Sequence, residues 1–234
     1  MLPILYQDDR FVAIDKRAGL LVHRSPISQD QVFAVQTLRD QIGRRVYPVH
    51  RLDRATSGVL LFALDKEAAT AVMAQFETRT VEKCYLAVAR GWVGDGAIID
   101  HALTDDAGSG IARQAQTRYE CVARIELPFA VDRYQSSRYS LVRVQPLTGR
   151  RQQIRKHFKH ISHHLIGDTT HGNGRHNRFF RAHFGISRLL LMSRRLVFHH
   201  PYRDARVAIE AQPGDDFATL MALPWTPAIP VSSI

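Results

Sequence analysis

The sequence predicts an α+β fold in which strands outnumber helices. Residues 4–16, ILYQDDRFVAIDK, read as two short strands around a DDR turn, which indicates an antiparallel start. Later segments rich in β-branched and aromatic residues alternate with a few segments of helical spacing. With 234 residues, of which 45% are hydrophobic, the chain can bury one substantial core. We therefore expect one domain over residues 1–222 and a proline-punctuated tail over residues 223–234.

Four segments are predicted to be helical. The first, QVFAVQTLRDQIG, ends at Gly43, and the last, DDFATLMA, is short. Asp65 is suited to be the N-cap of the second, KEAATAVMAQFETR. One face of this second helix carries the apolar residues Ala69, Val72, Met73 and Phe76.

The third predicted helix is GRRQQIRKHFKHI, which has an apolar and a basic stripe. Its apolar residues are Ile154, Phe158 and Ile161. Its basic residues Arg151, Arg155 and Lys159 recur every four positions. We therefore expect a helix with a basic flank.

Strands are predicted from runs of β-branched, aromatic and other apolar residues. The run SGVLLFAL is almost continuously apolar, as in a buried strand, and AGLLVH reads as extended. The remaining strands are TVEKCYLAVARGW, AQTRYECVARIEL, RYSLVRVQPL, RLLLMSRRLVFHH and ARVAIEAQP. The segments GDGAIIDHAL and DDAGSGI are predicted to form turns and a loop.

Charge is distributed unevenly along the chain. The sequence has 32 Lys and Arg against 22 Asp and Glu, a formal charge of +10, and 27 of the cations are arginine. Residues 133–203 hold 15 of the cations and a single acid, Asp168, so this segment carries +14 and the remainder −4. A planar guanidinium suits phosphate oxygens and base edges. We therefore expect a nucleic-acid partner, with most phosphate contacts from residues 133–203; the alternative is a basic protein without such a partner.

Cysteine content and the N-terminus indicate the compartment. The two cysteines, Cys84 and Cys121, are too few and too far apart for a disulfide framework or a thiolate zinc site. The start, MLPILYQDDR, lacks the pattern of an export signal, and no uncharged run approaches a membrane span. We expect a cytoplasmic, monomeric protein that binds neither membrane nor metal.

The segment HRLDRATSG, residues 50–58, places one carboxylate between two guanidinium groups. Arg51 and Arg54 favour the charged form of Asp53. The triplet TSG can form a tight turn that fixes this carboxylate at the end of the following strand. A carboxylate held in this way can act as a nucleophile or a base. The alternative is an ordinary exposed salt bridge.

HRLDRATSGVLLFAL resembles the HRLD-x-x-TSG motif of the RluA-type pseudouridine synthases, with every fixed position present. EKCYLAVARGW is similar to the family's K-x-Y-x-A segment, LTGRRQQIRKH to its TGR-x-HQ-[IL]-R helix, and IGDTTHG to its IGD-x-x-HG turn. The resemblance spans most of the chain. It implies a catalytic domain with a largely antiparallel mixed β-sheet flanked by helices, and an active-site cleft across the sheet.

One branch of the family is especially similar. The chain shows no separate N-terminal RNA-binding module, and the segments LVHRS, QTLRDQIG and HGNGRHNRFF resemble the branch that modifies uridine 65 of tRNA. The implied function is RNA pseudouridine synthase, most closely of tRNA. A 23S rRNA target is the alternative within the family.

The resemblance assigns roles to particular residues. It makes Asp53 the catalytic carboxylate, Tyr85 the ring packed against the target uracil, and Arg155 the cation that pairs with Asp53. Arg51 resembles the arginine that fills the gap left by the flipped base, although it can equally be a second partner of Asp53. The residues expected to bind RNA are Arg51, Arg54, Arg150, Arg151, Lys156, Lys159, Arg175 and Arg178.

The implied reaction breaks the bond from ribose C1′ to uracil N1 and rejoins the ring through C5. It needs a carboxylate near C1′ and C2′ and no redox or group-carrying cofactor. A uridine stacked in a helix must be flipped out to reach this carboxylate. Residue types alone allow Asp53 either to attack the sugar or to remove a ribose proton.

Two positions depart from the family pattern. Gln152 stands where the family helix has His, and Met192 stands where its LLLHA strand has His. Gln152 keeps a hydrogen-bond donor and acceptor, whereas Met192 keeps only bulk. The second change puts local packing or substrate preference in question.

Two functions of other classes compete with this interpretation. A metal-dependent nuclease would use Asp53 and Asp168 with the histidines at positions 157, 160, 163, 164 and 171. The neighbouring lysines and arginines would repel a divalent ion, however. The other alternative is a non-catalytic RNA-binding or chaperone protein, in which Asp53 only braces a loop.

Overall fold

The computed structural model describes residues 1–24, 30–104 and 110–228. The chain divides into two compact units. The first comprises Met1–Lys83 and Met192–Gln212, and the second comprises Cys84–Leu191 and the residues from Pro213 onward. No helix in the described parts of the chain is both long and apolar enough to span a membrane.

The first unit is a mainly antiparallel sheet with two helices. Its strands are β1 (Ile4–Gln7), β2 (Phe11–Lys16), β3 (Tyr47–Pro48), β4 (Ser57–Ala63), β11 (Leu191–His199) and β12 (Arg206–Glu210). The strand order is β1-β2-β4-β11, with β3 paired to β4 and β12 to β11. Strands β4 and β11 pair in parallel, whereas β2 pairs antiparallel with both β1 and β4. Every residue of β4 is buried, as its apolar run predicts.

The helices of the first unit are α1 (Ala34–Ile42) and α2 (Lys66–Glu77). Gly43 ends α1 in the left-handed conformation, with φ at 65°. The Asp65 carboxylate accepts a hydrogen bond from the Ala68 amide at 2.8 Å, so the predicted N-cap of α2 is confirmed. The predicted apolar face is only partly right, because Met73 is 43% exposed.

The second unit also combines an antiparallel sheet with helices. Its strands are β5 (Glu82–Arg90), β6 (Gly96–Asp100), β7 (Leu103–Thr104), β8 (Ala112–Arg113), β9 (Gln116–Leu127), β10 (Ser137–Pro146) and β13 (Thr226–Pro227). The order is β5-β10-β9-β13, with β6 paired to β9, while β7 and β8 pair with each other. Its helices are α3 (Gln153–His160), α4 (Gly174–Phe184) and α5 (Asp215–Met221).

The structure confirms the α+β class and the largely antiparallel mixed sheet, with several local differences. Residues 96–100, predicted as part of a turn region, form β6, because their backbone pairs with β9. AGLLVH is not a strand and has only an isolated bridge from Leu21 to Phe33. Helix α4 was not predicted. The third predicted helix begins at Gln153 rather than at residue 149. Residues 105–109 of the predicted loop lie outside the described residues.

Candidate active site

The HRLD segment lies between β3 and β4 in the first unit. Asp53 is half-buried, between the exposed residues Arg51 and Arg54. The Thr56 amide donates to the Asp53 carbonyl at 3.1 Å, which closes a turn over residues 53–56. The turn predicted at residues 56–58 was placed too late, because Ser57 and Gly58 already belong to β4. Arg54 contacts Asp30 at 3.0 Å and donates from Nε to the Gly19 carbonyl at 3.1 Å. The turn therefore presents Asp53 at the start of a buried strand.

His50 anchors the other end of this segment. Its Nε2 accepts a hydrogen bond from the Leu61 amide at 3.0 Å, and its ring stacks on Phe76 at 4.9 Å between centroids. Burial of the ring, with a smaller effect of the Lys83 charge, lowers the pKa of His50 to about 3. Only a neutral imidazole has a ring nitrogen that can accept the hydrogen bond from the Leu61 amide. His50 thus has a structural contact that fixes the motif to β4.

Gly58 allows the strand after Asp53 to lie against β11. Its φ is 101°, and a Cβ built there would fall 2.1 Å from the Ser193 carbonyl oxygen. No side chain fits at that distance, so the glycine of the TSG triplet is required by a close backbone approach.

Tyr85 lies in the second unit, on β5. Its partner across the sheet is Val144 of β10, and its side chain is half-buried. Tyr85 is therefore partly accessible while the strand holds its backbone. This is the condition that stacking on a base requires.

Arg155 is buried in the second unit and binds Asp168 at two points. Its Nε donates to Oδ2 and its Nη2 to Oδ1, both at 2.7 Å. The sequence placed Arg155 on the basic stripe of the helix with Arg151 and Lys159, but only 5% of the residue is exposed. Its expected pairing with Asp53 stays a prediction.

Asp168 is itself held by backbone amides. Its Oδ1 accepts hydrogen bonds from Thr170 and His171, each at 2.9 Å. Burial alone would raise the pKa of Asp168, but the hydrogen bonds from Arg155 and His171 outweigh it, and the pKa lies below its usual range. The carboxylate therefore stays charged and fixes the plane of the guanidinium.

Comparison with known proteins decides the family. The family described as RNA pseudouridylate synthase matches residues 10–160, more than half of the chain. The chain belongs to the RNA pseudouridylate synthase family.

Three similar relatives carry the name "tRNA pseudouridine synthase C". The protein of Vibrio cholerae is 46% identical over 221 residues, which cover 90% of this chain and 91% of the relative. That of Yersinia pestis is 45% identical and covers 95% and 90% of the two chains, and that of Haemophilus influenzae is 45% identical and covers 94% and 97%. These relatives confirm both the family and the branch predicted from the sequence.

Solved structures of the family share the fold. Human RNA Pseudouridylate Synthase Domain Containing 1 superposes with a TM-score of 0.74 at 25% identity, over 97% of this chain and 89% of that one. Human RNA Pseudouridylate Synthase Domain Containing 4 gives 0.72 at 23% identity, over 96% and 94%. The predicted pseudouridine synthase fold is therefore confirmed.

The structure accounts for both departures of this synthase from the family pattern. Gln152 adopts a positive φ of 55° at the start of α3, and its Oε1 lies 2.7 Å from His171 Nε2. Its amide thus keeps a hydrogen bond, as the sequence suggested. Met192 is 2% exposed and pairs with Ser57 in the β11–β4 register, so it packs in the core beside the start of β4.

In the folded synthase, carboxylates from other parts of the chain pair with many arginines of the basic segment, residues 133–203. At least seven of its arginines form ion pairs with carboxylates from outside residues 133–203, namely Arg138, Arg143, Arg175, Arg188, Arg194, Arg195 and Arg203. Among the predicted RNA-binding residues, Arg175 pairs with Asp132. The uneven distribution of charge along the sequence therefore arises partly because arginines of this segment pair with acids that lie outside it in the sequence.

The other predicted RNA-binding residues have varied surroundings. Arg150 donates to the Gln114 carbonyl at 3.2 Å and Lys156 to the Thr104 carbonyl at 3.2 Å. Arg151, Lys159 and Arg178 are exposed. Arg181 is a further exposed cation on α4, and it was not among the predicted RNA-binding residues.

Sequence reasoning also missed Asp168 as a partner of Arg155 and considered it only as a metal ligand. No group of three or more His, Cys, Asp or Glu side chains suited to a metal is found where the structure describes the chain. Asp168 instead binds Arg155, and His157 uses both ring nitrogens, toward Thr117 Oγ1 at 2.9 Å and the His101 carbonyl at 3.0 Å. The IGD-x-x-HG motif was the one available signal for Asp168.

Proposed function

We propose that this synthase converts one uridine of tRNA, uridine 65, to pseudouridine. The observation that supports a tRNA substrate is identity of 45–46% with relatives named tRNA pseudouridine synthase C, across nine-tenths of the chain or more. The specific uridine is supported by the resemblance of LVHRS, QTLRDQIG and HGNGRHNRFF to the branch that modifies it.

Asp53 is the proposed catalytic carboxylate. The reaction breaks the C1′–N1 bond and forms a C1′–C5 bond, and the proton on C5 leaves while N1 gains one, so it needs no net oxidant or co-reactant. An ionised carboxylate can attack C1′ or remove the C2′ proton, and either step frees the uracil to rotate. The turn that holds Asp53 at the start of β4 supports this role, because a fixed carboxylate loses little freedom on reaction.

Tyr85 and Arg155 are proposed as the other active-site residues. Tyr85 stacks on the extruded uracil, and its half-buried position on a regular strand supports this role. Arg155 is proposed to be the cation that pairs with Asp53. The fixed guanidinium plane supports that role, because a preorganised cation does not need to reorient during the reaction.

The protein is further proposed to act as a cytoplasmic monomer without cofactor or metal. RNA is proposed to bind through Arg51, Arg54, Arg150, Arg151, Lys156, Lys159, Arg175 and Arg178. Exposure of Arg51, Arg151, Lys159 and Arg178 supports this part of the proposal.

The direct test is isomerisation of a tRNA transcript by the purified protein. We expect wild type to form one pseudouridine, at uridine 65, detected by chemical mapping and mass spectrometry. Asp53→Asn, which keeps size and removes charge, should bind the same tRNA but lower the rate by at least about a thousandfold. The exposed variant Lys66→Gln on α2 is the matched control and should keep the wild-type rate.

Two outcomes would point elsewhere. Pseudouridine in 23S rRNA but not in tRNA would move the substrate to the other RNA class. Full complementation of a deletion strain by Asp53→Asn would support the non-catalytic RNA-binding alternative and overturn the enzymatic proposal.

A further inference from the structure

Two links join the start of helix α3 to the turn at residues 168–171. The inner link is the buried ion pair of Arg155 with Asp168. The outer link is a hydrogen bond between two half-buried side chains, in which His171 Nε2 lies 2.7 Å from Gln152 Oε1. An amide oxygen only accepts hydrogen bonds, so the ring nitrogen donates. The same two segments are therefore tied together twice, at different depths.

Gln152 has a backbone conformation that favours glycine. Its φ of 55° and ψ of 25° lie in the left-handed region, at the residue before α3 begins. Its carbonyl accepts a hydrogen bond from the Lys156 amide at 3.0 Å, but its side chain makes no capping hydrogen bond. A residue needed only to start the helix would be glycine or a short capping residue. The long amide side chain instead bonds to His171, which indicates that this contact is its contribution.

The backbone of His171 is bound to the carboxylate of the ion pair. Its amide donates to Asp168 Oδ1 at 2.9 Å, and Arg155 Nη2 donates to the same oxygen at 2.7 Å. The His171 carbonyl oxygen lies 2.8 Å from His164 Nδ1. A movement of His171 therefore displaces one of the donors that fix the carboxylate, and this carboxylate orients the guanidinium of Arg155.

The charges around the His171 ring are mainly positive. The charged and titratable groups that act on it are Asp168 in the same turn, His164 before it, and Arg155, Lys156 and Lys159 on α3. Burial lowers the pKa of His171, and the three cations of α3 lower it further, while the charge of Asp168 opposes them. The ring is therefore in a setting where another positive charge would be unfavourable.

The chemistry of the side chain at position 152 decides how this contact responds to acid. A second imidazole there, as in the family pattern, would gain a proton in the same pH range as an ordinary histidine. Two protonated rings repel each other, and neither has an acceptor nitrogen. The neutral amide of Gln152 accepts a hydrogen bond from His171 Nε2 in both protonation states of His171.

We propose that Gln152 is a positioning residue that holds His171 against α3 at both neutral and mildly acidic pH, and so keeps Arg155 in its orientation. The proposal rests on the proposed role of Arg155 in the reaction. Without the amide, the turn at residues 168–171 gains freedom and the guanidinium of Arg155 is less well oriented. Because the contact lies within the protein, its loss should alter the rate of isomerisation more than the affinity for RNA.

The test measures single-turnover rates on a tRNA transcript from about pH 8 to about pH 5.5, on either side of the usual pKa of histidine. Gln152→His should match wild type within about twofold at the alkaline end. At the acidic end it should be slower than wild type by about fivefold to tenfold, because an imidazole one unit below its usual pKa is about 90% protonated. The affinity for tRNA should stay within about twofold of wild type at each pH.

A second variant separates positioning from stability. Gln152→Gly relieves the left-handed backbone, so the melting temperature should be kept or raised. It also removes the acceptor at every pH, so the rate should fall by about tenfold across the whole range, since small misplacements of a reacting group can have such effects.

Two controls accompany these variants, and all are assayed below their measured melting temperatures. Gln212→His makes the same exchange at an exposed residue after β12 and should keep the wild-type rate at each pH. In a double-mutant cycle, Gln152→Gly combined with His171→Leu should lose no more rate than the slower of the two single variants, because both remove the same contact.

A pH profile of Gln152→His parallel to that of wild type overturns the proposal, as does a wild-type rate in Gln152→Gly or losses that add in the double variant. Failure of the proposed function is distinct from these results, because wild type would then form no pseudouridine. Failure of the proposed role of Arg155 is also distinct. In that case Arg155→Lys, which cannot form the two parallel hydrogen bonds to Asp168, would keep the wild-type rate.

Discussion

Arg155 and Asp168 form a buried ion pair through two parallel hydrogen bonds, with side-chain exposures of 6% and 1%. Two backbone amides, of Thr170 and His171, complete the coordination of the carboxylate. Such an arrangement gives a guanidinium one orientation. A buried ion pair by itself adds little net stability. We therefore infer that this pair matters mainly because it fixes the orientation of the Arg155 guanidinium.

Removing the charge of Asp168 should damage both stability and activity. Asp168→Asn keeps the shape but leaves Arg155 buried without its anion, and we expect the free energy of unfolding to fall by about 3–5 kcal/mol. Urea unfolding measures this loss. At temperatures where the variant is folded, the single-turnover rate should also fall, because the orientation of the Arg155 guanidinium is no longer fixed.

The matched control is Glu126→Gln, which neutralises the acid of the exposed pair with Arg138. Its effect on unfolding should be about 0–1 kcal/mol, as for surface ion pairs generally. Equal losses in the two variants would contradict the structural role assigned to Asp168.

Acid should destabilise the protein through His176, which is 4% exposed and hydrogen-bonded to the Tyr139 hydroxyl at 2.9 Å. Burial, with a smaller effect of the Arg90 charge, lowers the pKa of His176 to about 4. An unfolded histidine titrates near about 6.5, so between these values only the unfolded chain gains the proton. The contribution of neutral His176 is complete above about pH 6.5 and is lost as the pH falls toward 4.

The measurement is melting temperature against pH for wild type and His176→Gln. The variant should show a flatter decline over this range, where one proton accounts for at most about 1.4 kcal/mol per pH unit. His199→Gln is the control for loss of an exposed imidazole. Parallel curves for wild type and His176→Gln would show that His176 is not the group that senses acid.

Local features of the sequence predicted more of the fold than of the site. The β1–β2 hairpin, the Asp65 N-cap and the buried strand β4 follow from turn residues, a capping side chain and an apolar run, all of which act over a few residues. Strand β6 was missed because its pairing with β9, rather than its own composition, makes it a strand. Helix α4 was missed because its sequence, GRHNRFFRAHF, has only a weak apolar stripe: Phe179 and Phe180 are adjacent and polar residues surround them.

The site depends on interactions that sequence spacing does not reveal. Four-residue spacing put Arg155 on a stripe with Arg151 and Lys159, but its partner Asp168 lies in the turn after the helix and draws it into the interior. Only the IGD-x-x-HG motif marked Asp168 at all, and a motif does not say which side chain its carboxylate will bind.

RNA binding should depend on cations that are not already paired with protein carboxylates. Arg178 and Arg181 lie on the exposed side of α4, and no carboxylate in the described part of the chain is within ion-pair distance of either. Double neutralisation, Arg178→Gln with Arg181→Gln, should weaken tRNA binding and lower the salt slope by about one for each phosphate that the protein no longer neutralises. Binding isotherms at several salt concentrations measure both effects.

The control for this pair is Arg138→Gln with Arg194→Gln, which removes two arginines already bound to Glu126 and Glu210. Both pairs of variants change the net charge by the same amount. An equal loss of affinity would mean that total charge, rather than unpaired arginines on α4, governs binding.

Tyr85 should act through its ring face. A base stacked on an aromatic side chain gains about 1–3 kcal/mol, so Tyr85→Leu should lower kcat/KM by about tenfold to a hundredfold. Tyr85→Phe keeps the face and should lose much less. Because Tyr85 is half-buried on β5, thermal unfolding must show that both variants are folded before the rates are compared. If Phe and Leu reduce kcat/KM equally, the hydroxyl and not the ring carries the function of Tyr85, and stacking on the uracil is the wrong account of this residue.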